Sequence, residues 1–180
     1  MLQLTIPDSE LWDEGKQEFV NVKGCSIQLE HSLVSLSKWE SEWNRAFLSK
    51  PERTEEEMLD YIKFMTITQN VDPETYKRLS NENIEAINQY IEAPMTATYF
   101  SKDDRGERSR ELVTAEIIYY WMIDLHIPFE CQKWHLNRLL TLIRVCDIKN
   151  RKPKKRSRKE TFDNNAKLNA ARKAQFNSRG

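Results

Sequence analysis

The hydrophobic rhythm of this chain changes once, near residue 31, and that change limits what it can fold into. Before it, apolar and polar side chains alternate. LQLTI at 2–6 and KGCSIQLEH at 23–31 read as strands with one buried face, and EFVNV at 18–22 is a shorter candidate. The polar run DEGKQ, with Gly15, supplies a turn ahead of EFVNV. A two- or three-stranded meander follows from this pattern, and it needs a helix to cover its apolar face.

After residue 31 the period is helical. Leu33, Leu36, Trp39 and Trp43 fall at spacings that put them on one helix face behind Ser32, a candidate N-cap. Thr54 and Glu57 form a capping-box pattern ahead of Met58, Tyr61, Ile62 and Met65. Asp72-Pro73 is a second start signal, a capping carboxylate before a proline at the first helical position. A further helix begins near Ser80 with Ile84, Ile87 and Ile91 on one stripe, and Pro94 stops it.

The polar run 101–109 reads as a loop, with Ser109 as the cap of ELVTAEIIYYWMIDL. That segment is apolar most of the way round, which predicts a central buried helix. A bend at His126-Ile127-Pro128 leads into a last helix, about Phe129 to Ile148, with Trp134, Leu139, Leu142, Ile143 and Cys146 as its apolar set. The expected fold is α+β and mostly α. A small N-terminal β region (1–31) packs on a helical domain of about five helices (32–150), and a basic, partly disordered tail (151–180) follows.

Charge divides the chain in the same way. Residues 151–180 carry 11 Lys/Arg against 2 Asp/Glu, and residues 1–150 carry 17 against 26, so an acidic body ends in a basic tail. The stretch NRKPKKRSRKE holds seven of those cations, among them Lys152, Lys154, Lys155, Arg156, Arg158 and Lys159. Such asymmetry is the mark of an interaction appendage, against a bland alternative of a solvated tail. Beyond Pro153, TFDNNAKLNAARKAQFN has weak helical character and few apolar anchors, so order is expected only on a partner. Nucleic acid is one such partner, reached through phosphates; with only Phe162 and Phe176 nearby, base stacking is not indicated.

Chemistry finds little purchase. The three cysteines, Cys25, Cys131 and Cys146, are odd in number and far apart, as expected of reduced thiols in a soluble intracellular protein. The N-terminus has no signal-peptide pattern, and the longest apolar run is too short to span a membrane. His126, Cys131 and His135 are the atom types zinc accepts, but three ligands at this spacing match no structural site. Cys131, His135 and Glu130 could be drawn as a nucleophile, base and orienting acid, yet no nucleophile turn surrounds them. Four glycines assemble no phosphate-cradling loop. The acids at Glu55, Glu56, Glu57 and Asp60 are explained by the dipole of the helix they open. No enzyme, metal or cofactor reading survives, and binding is what remains. The candidate partner face is Leu33, Leu36, Trp39 and Trp43, together with the basic tail.

Several phrases are those of a known family. LEHSLVSLSKWESEWNRAFLSK, TEEEMLDYIKFMT, IEAPMTATYF and AEIIYYWMIDLHIPFECQKWHLNRLLTLIRVC resemble bacteriophage proteins encoded near the tape-measure gene of tailed phages. These are described as tail assembly chaperones, and the resemblance runs over almost the whole chain. It implies a small, mostly helical, non-enzymatic protein of the infected cell's cytoplasm. Such a protein binds the long tape-measure helix and hands it to tail-tube subunits. The basic tail would then meet acidic stretches of a partner or control assembly into a homo-oligomer. The alternatives are a structural component of the tail or neck, or a protein that contacts nucleic acid through its tail.

Overall fold

Four strands open the chain: β1 (Leu2–Ile6), β2 (Ser9–Asp13), β3 (Glu18–Val22) and β4 (Cys25–Leu29). They do not form the expected meander. β2 pairs with β3 and β1 with β4, both antiparallel, as two nested stretches of one long hairpin. The chain reverses between Asp13 and Glu18, where Gln17 takes a left-handed φ of 53°. The two arms then pair back toward the N-terminus and are interrupted at Pro7-Asp8 and Lys23-Gly24. Proline has no N–H for the ladder, which accounts for a break at that point. Gly24 allows the arms to touch there: a Cβ at that position would lie 2.5 Å from the Ile6 carbonyl oxygen. Its N–H donates instead to the Asp8 carboxylate.

This computed structural model describes residues 1–13, 15, 17–49, 53–100, 112–151 and 158–176. The chain divides into two units, Met1–Lys149 and Asn150–Gly180. In the first, β1 and β4 turn Leu4, Ile6, Ile27 and Leu29 inward, as alternation requires. The outer edge of β4 is closed by the chain that leaves the second helix, through Glu30 N–H to Met65 O (2.9 Å) and Ile67 N–H to Gln28 O (2.8 Å). Arg78 ties the distal part of the ribbon down, donating to Ser9 Oγ (3.1 Å) and Val22 O (3.4 Å).

The helices of this unit are α1 (Leu33–Trp43), α2 (Glu55–Met65), α3 (Glu74–Lys77), α4 (Asn81–Glu92), α5 (Ala115–Asp124) and α6 (Leu136–Asn150). Their starts follow local rules. Ser32 caps α1, Ser80 caps α4, and Thr54 with Glu57 makes the capping box of α2. Asp72 accepts from the Glu74 N–H at α3, which lasts only one turn. The architecture is α+β and mostly α, as the hydrophobic rhythm requires. Its core joins the β1–β4 face to α1, α2 and α6, with Leu33, Leu36, Tyr61, Ile62, Leu136 and Leu139 fully shielded. Each such side chain contributes about 1.5–3 kcal/mol relative to exposure.

Three helix expectations change. The run 101–109 and Ser109 lie outside the described residues, and α5 begins behind Thr114, whose side chain makes no capping bond. α5 is not buried all round: it hides Ala115, Ile118 and Met122 but exposes Tyr120 and Ile123, each at 61%. The last helix is not continuous from Phe129. A 3-10 turn covers Phe129–Lys133, Trp134 is extended (φ −72°, ψ 163°), and α6 begins at Leu136. In the second unit, α7 (Arg158–Phe176) is a helix of 19 residues whose side chains from Phe162 to Phe176 are exposed.

Candidate functional site

One of the sequence's site expectations, the partner face of α1, fails on burial. Leu33 and Leu36 are fully buried and Trp39 is 2% exposed, so this face of α1 meets its own chain and not a partner. Trp39 donates its indole N–H to Glu57 O of α2 (2.9 Å) and packs edge-on against Phe47 at 5.1 Å. Trp43, half-buried, stacks on Trp39 at 6.2 Å. Helical spacing identifies an apolar face; it does not say which neighbour covers it, and here α2 and the Phe47–Ser49 turn do. Of the basic residues, Lys152, Lys154, Lys155 and Arg156 lie outside the described residues, while Arg158 and Lys159 open α7.

The break at Trp134 also separates Cys131 from His135, which the sequence places on one helix face. Cys131 sits in the 3-10 turn and is buried, and burial pushes its thiol pKa up, away from a reactive thiolate. His135 turns its Nε2 to the Tyr90 carbonyl of α4 (2.9 Å). Among the described residues, no three His, Cys, Asp or Glu side chains converge as metal ligands would.

The surface that stands out lies between α5 and α6. Trp121 of α5 and Leu125, just past its end, line a solvent-open groove of about 480 Å³ together with Leu140 and Ile143 of α6. Tyr120 and Asp124 rim it on one side, Arg144 and Asp147 on the other. Trp121 and Leu140 also line an adjoining hollow of about 330 Å³ with Leu48 and Leu112. The exposed Ile123 and Tyr120 (61% each) and Leu112 (57%) extend the apolar character onto α5 and the segment before it.

Each wall of the groove is fixed by specific bonds. The start of α5 is capped by a residue of another helix: Glu40 of α1 accepts from the Ala115 N–H (2.7 Å) and, through its other oxygen, from the Phe47 N–H (2.8 Å). One carboxylate thus ties α1, the Phe47 turn and α5 together. Burial raises its pKa, and the two backbone donors work against that rise by favouring the ionised form. Tyr119 joins α5 to the 3-10 turn by donating to Gln132 Oε1 (2.9 Å). On α6, Asn137 donates to the carbonyls of Ile91 and Ala93 at the end of α4, both at 2.9 Å. On the rim, the Arg144 guanidinium lies 3.9 Å from the Phe100 ring centroid.

Sequence reasoning missed this groove because it took apolar residues round α5 as a sign of complete burial. The same signal had a second meaning. A helix that is apolar most of the way round, in a domain too small to cover it, leaves large apolar side chains in solvent. Compared with protein-family models, curated proteins and solved structures, the chain matches none. No helix among the described residues is long and apolar enough to cross a membrane.

Proposed function

We propose that this protein is an assembly factor of tailed bacteriophages, acting by protein–protein contact in the cytoplasm of the infected cell. It holds an amphipathic helix of the tape-measure protein along the α5–α6 groove and delivers it to tail-tube subunits. It performs no bond-making chemistry. The observation that carries this reading is the groove: an open channel with an aromatic and aliphatic floor, beside large apolar side chains left in solvent. A helix laid in such a channel is held by anchors at i, i+3, i+4 and i+7, and Trp121 with its aliphatic neighbours supplies the pockets they need. The resemblance of the IIYYWMIDL and LNRLLTLIRVC segments to tail assembly chaperones supports the same choice, since these segments form its two walls.

Co-expression with the tape-measure protein tests it. The full chain is expected to keep that partner soluble and to co-purify with it. The double variant Tyr120→Glu, Ile123→Glu, which alters exposed positions only, is expected to abolish both effects. Equal recovery with the variant, or no recovery with the native chain, overturns the proposal. Finding the protein as a stoichiometric component of purified particles would favour a structural role in the tail or neck.

A further inference from the structure

Two histidines lie buried against each other at the point where β4, α1, α4 and α6 meet. His31 is 2% exposed and His135 5%, and their rings stand edge to face with centroids 5.1 Å apart. Around them the backbone is joined twice: Leu136 N–H donates to His31 O (2.7 Å), and Ser32 and His135 form an isolated β-bridge. The start of α6 is therefore held to the β4–α1 corner at this pair.

Hydrogen bonding fixes the proton content of His135. The Tyr90 carbonyl can only accept, so Nε2 carries the hydrogen. The Asn137 amide can only donate, so Nδ1 receives it (3.3 Å) and must be bare. The neutral imidazole satisfies both partners; a second proton on Nδ1 would face the Asn137 N–H. His31 has its Nδ1 against the Tyr61 hydroxyl, and its ring lies edge-on to Tyr61 at 5.8 Å.

The surroundings give added charge too little relief: the Tyr90 carbonyl and the Glu30 carboxylate favour a protonated His135, but burial outweighs them. From the segment before α2, the Arg53 guanidinium sits over Phe47, a ring that also packs against His31. From α2 and α4 the pair faces phenols, Tyr61 and Tyr90. The carboxylate on that side, Glu30 at the end of β4, is already engaged. One oxygen accepts from the Tyr90 hydroxyl (2.7 Å) and the other pairs with the Met1 amino group (3.0 Å).

We infer that the His31–His135 pair is a proton-sensitive latch, which holds the start of α6 when both rings are neutral and releases it in acid. The electrostatics run the same way. Burial, then His135 and Arg53, bring the His31 pKa down to about 3, and burial lowers that of His135. A lowered folded-state pKa means that the opened chain binds more protons. The latch is therefore fully closed above the ordinary histidine value of about 6.5 and weakens as pH falls below it, toward about 3 for His31. What the groove binds is immaterial to this device.

Amide hydrogen exchange on the full chain tests it. Protection of the Leu136 amide is expected to fall by up to about tenfold for each pH unit and each histidine below 6.5, more steeply than that of the Met58 amide in α2. His135→Gln, which retains a donor for the Tyr90 carbonyl, is expected to flatten that dependence, as is His31→Gln. Coincident profiles for the native chain and His135→Gln overturn the latch. Nitrogen NMR of the native chain gives a second reading that needs no variant. His135 is expected to show the neutral Nε2–H form at pH 5 wherever Leu136 remains protected, and an imidazolium signature in that closed state overturns the inference.

Discussion

Glu40 shows how much one side chain can carry when it replaces a missing local signal. Thr114 precedes α5 in extended conformation but makes no side-chain bond to it, so the helix start depends on a carboxylate 75 residues away in sequence. Removing it leaves two shielded N–H groups without partners, at about 1–3 kcal/mol each. Glu40→Ala is accordingly expected to destabilise the protein by about 2–6 kcal/mol in urea unfolding, with Glu40→Gln, which keeps one acceptor, losing about half as much. The pH dependence has a definite sign. The folded-state pKa of Glu40 is raised, so its contribution is fully present below its unfolded value and declines as pH rises through the folded one. The His31–His135 pair acts in the opposite sense, weakening as pH falls below about 6.5, so acid weakens the native chain. Because it lacks the Glu40 decline, Glu40→Gln is expected to gain more stability than the native chain on going from pH 5 to pH 8.

At the scale of elements, α5 is the one whose two faces differ most in consequence. Ile118 and Met122 are fully buried, whereas Tyr120 and Ile123 stand mostly in solvent. Met122→Ala is expected to cost about 2–5 kcal/mol by opening a cavity. Tyr120→Glu and Ile123→Glu are expected to change the unfolding free energy in urea by no more than about 0.5 kcal/mol each. A large loss from the outer pair would mean that this face is covered in the free protein. The contrast also marks where the sequence was legible. Caps at Ser32, Thr54 and Ser80 could be read because a cap involves only residues three apart. The inward residues of β1 and β4 could be read because alternation fixes a face. Strand pairing could not, since it turned on a break at Pro7 and a glycine that permits close approach. Nor could the fate of Leu33, Leu36 and Trp39: their spacing is the same whether α2 or another protein covers them. The groove and the histidine pair are made by residues distant in sequence, and no local pattern announces such a meeting.

Along the sequence an acidic first unit is followed by a basic second one, and each reading of function assigns the second a different task. α7 offers exposed side chains from Phe162 to Phe176, with no buried face of its own among them. A helix of that kind gains little from packing and depends on its partner or on charge for its use. Under the proposal made above, residues 151–180 meet acidic protein surfaces, and any attachment to DNA is incidental. Incidental attachment has a recognisable form: it ignores sequence, its affinity falls steeply with salt, and it is weak at physiological ionic strength, with dissociation constants of about 10⁻⁴–10⁻⁶ M. A titration of duplex DNA at 50 and 200 mM salt, with the full chain and with residues 1–150, is therefore expected to show tail-dependent binding that falls by about 10³-fold or more between the two conditions. The truncated chain should still keep the tape-measure protein soluble, because the groove lies wholly within the first unit. Binding at about 10⁻⁸ M in 200 mM salt would make the basic unit a nucleic-acid arm and would move the protein's principal partner from polypeptide to DNA.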